Sequence, residues 1–290
     1  MAPLMAYFAT MLEIGEPKGM NGGPPTWEII PTTDGSHTLV SKDGLLTFHS
    51  RHGAITESRH VFEQMGLDCW LAAHAHAPTT LRVLEMGLGT GLNAALVLEA
   101  WRRRLGSKSA NGDDISSAGH GSLNWSYTAL ETYPLDPLLL GKLNYGAHLH
   151  HGAWEDWLAG YRAMYPFLLV ASHQSDGSDS FGKGPEENTS FRMQSKESSM
   201  VMKVRPQGWV QPLEEVFDVI FYDAFGPSAQ PELWGEQAVT LLAQRLNKGG
   251  VMVTYGAQGA FRRHLRQAGL LVERLPGPPG KREMLRAVKG

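Results

Sequence analysis

Leu84-Glu85-Met86-Gly87-Leu88-Gly89-Thr90-Gly91-Leu92-Asn93 decides the fold class of this chain. The apolar residues Leu81, Val83 and Leu84 before it read as a buried strand, and residues 92–105 after it read as a helix. Alternate glycines at a strand-to-helix turn let the backbone approach a ligand where a Cβ would not fit. A dinucleotide-binding loop of the form G-x-G-x-x-G would place its third glycine at 92. Here that position is Leu92, and the third glycine, Gly91, comes one residue earlier. Glycine-rich turns also occur in loops that bind nothing, so the loop has to be weighed with the rest of the chain.

The bulk composition narrows the class. With 290 residues and 42% hydrophobic content, the chain has ample material for one large domain or two small ones. No run approaches the roughly 20 apolar residues of a membrane span. The first basic residue is Lys18, so no positively charged leader region is expected. A single cysteine, Cys69, excludes an intrachain disulfide and fits a reducing cytoplasm. The net charge is −3, yet residues 262–290 hold eight Lys and Arg against only Glu273 and Glu283. That local excess suits either a phosphate-facing patch or an ordinary solvated surface.

The order of elements points to an α/β fold. Residues 1–26 read as a flexible tail ending in Asn21-Gly22-Gly23-Pro24-Pro25. Short strand-like runs broken by Asp34-Gly35 and Asp43-Gly44 then predict a small antiparallel β-element, followed by a helix over 54–77. From residue 78 onward strands and helices alternate. Strands are expected at 81–86, 125–130, 217–222 and 250–255, and helices at 92–105, 136–145, 153–161, 232–246 and 258–268. Such alternation implies a doubly wound parallel sheet covered on both faces. Two last strands, near 270–274 and 283–288, predict an antiparallel hairpin at the sheet edge. Residues 106–122 and 172–199 are rich in Gly, Ser and polar residues and read as flexible insertions.

Several residues carry candidate chemistry. Glu131 ends the second strand of the sheet, where an acid accepts hydrogen bonds from ribose hydroxyls; the same residue serves equally as a solvated strand-end carboxylate. Asp223 ends the strand Phe221-Tyr222, in the crevice where open α/β sheets bind ligands. A carboxylate there suits transfer to a nitrogen: it accepts an amine N–H, orients the lone pair and takes or relays the proton. Phe225 suits a pocket wall or a base-stacking surface. A turn former or a core contact are the ordinary alternatives for these two. The groups His74/His76 and His148/His150/His151 lack a metal-site framework, so no metal is expected.

Taken together, these segments resemble a specific family. The E-x-G-x-G-x-G spacing is similar to the first motif of class I S-adenosylmethionine methyltransferases. Asp223-Ala224-Phe225-Gly226-Pro227 with Pro231-Glu232-Leu233-Trp234 resembles the D-x-F-x-P…P-[ED]-x-W signature of bacterial tRNA 5-methylaminomethyl-2-thiouridylate methyltransferases. That family comprises the methyltransferase domain of MnmC-type proteins and the stand-alone MnmD type. Phe48–Phe62, Gly259–Leu265 and Gly280–Leu285 resemble three further family segments in the same order. The resemblance runs from about residue 27 to 288, apart from the two insertions.

The resemblance implies a class I fold with an antiparallel C-terminal strand, and SAM-dependent methylation of 5-aminomethyl-(2-thio)uridine at the tRNA wobble position. It implies cofactor contacts from Glu85, Gly87, Gly89, Thr90, Gly91, Asn93, Glu131 and Asp223, with His49, Ser50 and Glu57 beside them. Asp223 and Phe225 would be the catalytic pair. Arg262, Arg263, Lys281 and Arg282 would face the tRNA, with Glu283 fixing basic side chains. The fused proteins also carry a flavin-dependent half, for which the chain has no room, so no flavin is expected. One departure stands out. The Gly-Asp pair that precedes the Asp223 strand in the family, with an acid for the adenine amino group, corresponds here to Val204–Trp209, which has no acid: Gln207 is a candidate replacement as an amide acceptor, and the alternatives are that the neighbouring insertion obscures the alignment or that adenine binding is weakened. Two other readings remain: a SAM-dependent transferase for a small amine, as in polyamine synthases, and a degenerate RNA-binding homologue.

Overall fold

A computed structural model describes residues 26–74, 80–106, 123–173, 189–196, 198–205 and 214–290. Strands β1 (Trp27–Pro31) and β2 (His37–Ser41) pair antiparallel as a two-stranded unit. The turn between them is tied down by Asp34, whose carboxylate accepts from Thr32, Ser36 and Thr56. Burial works against the charge on Asp34, but these bonds outweigh it and hold the carboxyl below its ordinary range. A helix over 54–73, here α1, follows. It is α-helical over Ala54–Ser58, π-helical over Arg59–Asp68 and α-helical again over Cys69–Ala73.

The main sheet has eight strands: β3 (Thr80–Met86), β4 (Asn124–Leu130), β5 (Ser190–Gln194), β6 (Ser199–Arg205), β7 (Phe217–Tyr222), β8 (Leu246–Thr254), β9 (Leu270–Pro276) and β10 (Glu283–Lys289). Their order is β5-β6-β4-β3-β7-β8-β10-β9. The five central strands, β6, β4, β3, β7 and β8, run parallel. β7 is buried along its whole length, as a central parallel strand covered on both faces must be. β5 caps one edge antiparallel, and the β9–β10 hairpin caps the other, with β10 inserted beside β8. This is the α/β arrangement expected from the sequence, a mostly parallel sheet with an antiparallel C-terminal hairpin, and the small N-terminal β-element is present as well.

Helices α2 (Leu92–Gly106), α3 (Pro137–Leu140), α4 (Ala153–His173), α5 (Glu236–Arg245) and α6 (Gly259–Gln267) complete the chain. Alternate residues of the strands feed two separate cores. Val83, Tyr127, Val219 and Phe221 face α1, α2 and α4, whereas Leu84, Met86, Ile220 and Tyr222 face α5 and α6.

The structure departs from the sequence reading at four places, each with a local cause. The helix expected over 136–145 is split: α3 stops after one turn at Gly141, and Tyr145–Ala147 forms a 3₁₀ turn. The helix expected over 232–246 is broken by Gly235, which is extended between the 3₁₀ turn Pro231–Trp234 and α5. α4 runs twelve residues past the expected end at 161, where the buried Met164 and Leu168 continue its core-facing side. Finally, the tract 172–199 read as an insertion contains β5 and the first residue of β6, while 174–188 lie outside the described residues.

Candidate active site

The glycine loop joins β3 to α2 and is held from both sides. Gly87, Gly89 and Gly91 all have positive φ, at 87°, 51° and 76°. Only glycine adopts this region without steric cost. Space matters as much as conformation. A Cβ on Gly91 would lie 1.9 Å from the Trp157 ring, and one on Gly89 would lie 2.8 Å from Phe48. The loop is therefore clamped between an aromatic of α4 and an aromatic of the N-terminal element.

Three neighbouring parallel strands each deliver an acid to this end of the sheet. Glu85 lies within β3, Glu131 follows β4 and Asp223 follows β7. Glu85 is fully buried and accepts from the Tyr127 hydroxyl at 2.5 Å and from Asn93 Nδ2 at 2.8 Å. Burial pushes its carboxyl up to about 8, and the two hydrogen bonds offset only part of that. The same Asn93 amide donates to Asp223 Oδ2 at 2.8 Å, so one side chain links both acids. Burial, then Glu85 and Glu57, hold the Asp223 carboxyl well above its ordinary range. Glu131 accepts the Gly89 N–H at 3.0 Å and the Tyr133 N–H at 2.8 Å, and burial raises it too.

The N-terminal element closes over the loop. His49 Nε2 lies 2.7 Å from Thr90 Oγ1, and the Tyr145 hydroxyl donates to the same oxygen at 3.3 Å. His49 is buried, which lowers its imidazole to about 4 and keeps it neutral at pH 7. Glu57 accepts the Ser50 N–H at 3.1 Å on one oxygen and Lys281 Nζ at 2.5 Å on the other. Phe48, Trp27 and Phe225 form an aromatic cluster, with centroids 4.6 Å (Trp27–Phe48), 5.1 Å (Phe48–Phe225) and 6.5 Å (Trp27–Phe225) apart. The Phe225 backbone is fixed at both polar atoms: its N–H donates to Gln230 Oε1, and its carbonyl accepts from Trp234 Nε1.

The structure thus brings His49, Glu57, Glu85, Gly87, Gly89, Thr90, Gly91, Asn93, Glu131, Asp223 and Phe225 to one end of the sheet. The basic residues divide. Arg263 and Arg282 are exposed, and Arg262 is half-buried with an unpartnered Nε. Lys281 is half-buried and pairs with Glu57. Glu283 pairs with Arg274 at 3.2 Å, not with any of the four expected cations. An open cleft of about 480 Å³ adjoins the site, lined by Tyr255, Ala257, Arg274, Lys281, Arg282 and Glu283. Gln207 lies outside the described residues. Sequence reading missed Tyr127, Tyr145 and Tyr255, which bond Glu85, Thr90 and the Ala224 carbonyl. Tyr127 was accessible in principle, since it alternates with Ala129 along β4, the strand that Glu131 follows. Among the described residues, no cluster of His, Cys, Asp and Glu is arranged to hold a metal ion.

Residues 183–290 match a family described as S-adenosyl-L-methionine-dependent methyltransferase. Over 244 residues the chain is 28% identical to the tRNA 5-methylaminomethyl-2-thiouridine biosynthesis bifunctional protein MnmC of Magnetococcus marinus, covering 82% of this chain and 30% of that protein. The protein of the same name from Ralstonia nicotianae is 26% identical over 237 residues, with 82% and 31% covered. The chain therefore spans about a third of the length of these relatives. The crystal structure of MnmC2 from Aquifex aeolicus has the same fold, with a TM-score of 0.59 and 22% identity over 91% of this chain and 70% of that one. These matches make the chain similar to part of the MnmC proteins and give it the fold of MnmC2.

Proposed function

We propose that the chain methylates the amine of 5-aminomethyl-(2-thio)uridine at the tRNA wobble position, using S-adenosylmethionine and giving the 5-methylaminomethyl nucleoside. The observation that carries this reading is the Glu85–Asn93–Asp223 bridge beside the glycine loop. When bound, S-adenosylmethionine supplies an electrophilic methyl group on a sulfonium cation. The site fits such a cation: Glu85, Glu131 and Asp223 are held above their ordinary pKa ranges, and a positive ligand relieves that strain. Asn93 Oδ1 is buried without a partner among the described residues, so an acceptor is free. Glu85, Gly87, Gly89, Thr90, Gly91, Asn93 and Glu131 would hold the cofactor, with His49 and Glu57 alongside.

Asp223 and Phe225 act on the substrate. Asp223 accepts an N–H of the neutral amine, aims its lone pair and takes the proton that nitrogen sheds once the new N–C bond forms. Phe225, fixed by Gln230 and Trp234, gives the base a rigid apolar wall. Arg262, Arg263 and Arg282 supply the phosphate contacts of a tRNA surface. Residues 27–77 serve as a cover over the methyltransferase domain, 78–290. A tRNA substrate places the work in the cytoplasm. No helix among the described residues is long and apolar enough to cross a membrane.

The test is methyl transfer from labelled S-adenosylmethionine to bulk tRNA from cells lacking the activity, followed by nucleoside analysis. Label in 5-methylaminomethyl uridine supports the reading. Label in a small amine but not in tRNA overturns the substrate, and no cofactor binding at all overturns the enzyme.

A further inference from the structure

Asp223 and Phe225 flank Ala224, and the backbone between them is tied down from several directions. The Asp223 N–H donates to the Met86 carbonyl of the neighbouring strand β3 at 3.1 Å. The Phe225 N–H donates to Gln230 Oε1 at 3.0 Å, and the Phe225 carbonyl accepts from Trp234 Nε1 at 2.7 Å. These partners belong to the adjacent strand or to the next few residues of the chain. The fourth tie is different. The Ala224 carbonyl accepts from the Tyr255 hydroxyl at 2.6 Å, and Tyr255 follows β8, 31 positions away.

The Tyr255 ring is itself held in place. The Lys281 ammonium lies 3.8 Å from its centroid, and the Trp234 ring meets it edge-on with centroids 6.3 Å apart. Ala224 is buried, so losing the hydroxyl would leave its carbonyl without compensation from bulk water. That carbonyl lies in the planar peptide unit joining Ala224 to Phe225. Fixing the plane fixes the backbone rotation that sets the Phe225 ring relative to the Asp223 carboxyl. We infer that Tyr255 is a positioning residue: its hydroxyl locks the Ala224–Phe225 peptide and so holds Asp223 and Phe225 in one mutual orientation. The inference rests on the proposed function, in which those two side chains act on the substrate amine and base. Tyr255 takes no part in the proton transfer itself. Its ring also lines the open cleft, so a direct substrate contact is the competing role that the test must separate.

The test is Tyr255→Phe, which keeps the ring and its neighbours and removes only the hydroxyl. Tyr161→Phe is the control: it deletes a hydroxyl that donates to the Leu135 carbonyl at 2.9 Å, the same kind of bond elsewhere in the fold. Two readouts are taken, tRNA methylation kinetics and hydrogen exchange of the Phe225 amide by NMR in cofactor-free protein. Tyr255→Phe is expected to lower kcat by on the order of 10- to 100-fold, the scale of a small misplacement of reacting groups. KM for tRNA and the affinity for S-adenosylmethionine stay unchanged, and the Phe225 amide exchanges faster because its segment opens locally. Tyr161→Phe changes neither kcat nor Phe225 exchange. With an active wild type, an unchanged kcat overturns the inference, as does a loss confined to KM for tRNA, which would make Tyr255 a substrate contact. An equal loss of kcat in Tyr161→Phe overturns it too, since the effect would then be general destabilisation. If the wild type methylates no tRNA, the proposed function falls and Phe225 exchange alone decides: faster exchange in Tyr255→Phe leaves the positioning role standing, and unchanged exchange removes it.

Discussion

Gly91 lies directly against the Trp157 indole, so close that a Cβ there would sit 1.9 Å from the ring. The third glycine of the loop is therefore a packing requirement as well as a conformational one. Gly91→Ala combines a left-handed φ, costing about 1–2 kcal/mol, with overpacking, costing about 1–3 kcal/mol. The expected loss is about 2–5 kcal/mol in urea unfolding. Gly226→Ala is the control: a Cβ there meets nothing within 4 Å, so its stability stays within about 0.5 kcal/mol of wild type. Equal midpoints for the two variants would refute the packing argument.

Asp223 can be separated from its structural surroundings. Asp223→Asn keeps an oxygen for Asn93 Nδ2, which donates to it at 2.8 Å, but it cannot take a proton. The fold is expected to persist. Methyl transfer should drop by roughly 10²–10⁴-fold, the usual scale for a general base. A variant with wild-type turnover would remove Asp223 from proton transfer.

Lys289 near the C-terminus caps a helix from a distance. Its Nζ donates to the carbonyls of Ala243 at 2.8 Å and Leu246 at 2.7 Å, at the end of α5 where carbonyls have no helical partner. Lys289→Met should cost about 1–3 kcal/mol, since it removes charge-assisted bonds. Thermal unfolding measures the loss, and a melting point equal to wild type would show that water replaces the lysine fully.

Much of this architecture is readable in the sequence, for definite physical reasons. The glycine loop, the apolar run of β7 and the Asp223–Pro227 segment are local signals, because strand, turn and helix follow from neighbouring residues. What escaped was set by distant partners. Nothing near Lys281 in sequence announces Glu57, which lies 224 positions away. Trp157 reaches Gly91 only because α4 packs across the loop. β6 carries a readable period-two pattern in Ser199–Arg205, with Met200, Met202 and Val204 buried, yet no strand was expected there, while β5 fell wholly inside the supposed insertion. The broken helices at Gly141 and Gly235 show the reverse error, in which an apolar pattern outweighed a single glycine.

Stability should fall as pH rises through the neutral range, and Glu85 is one cause. Its carboxyl ionises near 4.5 when unfolded and is pushed up to about 8 in the fold. Between those values the native state holds more protons than the unfolded state, so unfolding becomes easier as pH rises. His49 works in the opposite sense. It is lowered from 6.5 to about 4, so the native state holds fewer protons in that window and stability rises with pH. The two oppose one another from about 4.5 to 6.5, which leaves 6.5 to 8 as the window where Glu85 acts without His49. Asp223 and Glu131 are raised as well and add to the same slope. Urea unfolding of cofactor-free protein should therefore show a decline across this window. Glu85→Gln, which keeps an acceptor for the Tyr127 hydroxyl but cannot ionise, should flatten the decline and be the more stable of the two at pH 8. Saturating S-adenosylmethionine, a cation placed among these acids, should flatten it in the wild type as well. Parallel slopes for wild type and Glu85→Gln would mean that Glu85 is already ionised in the folded protein, and the charge argument for a cationic ligand would lose its footing.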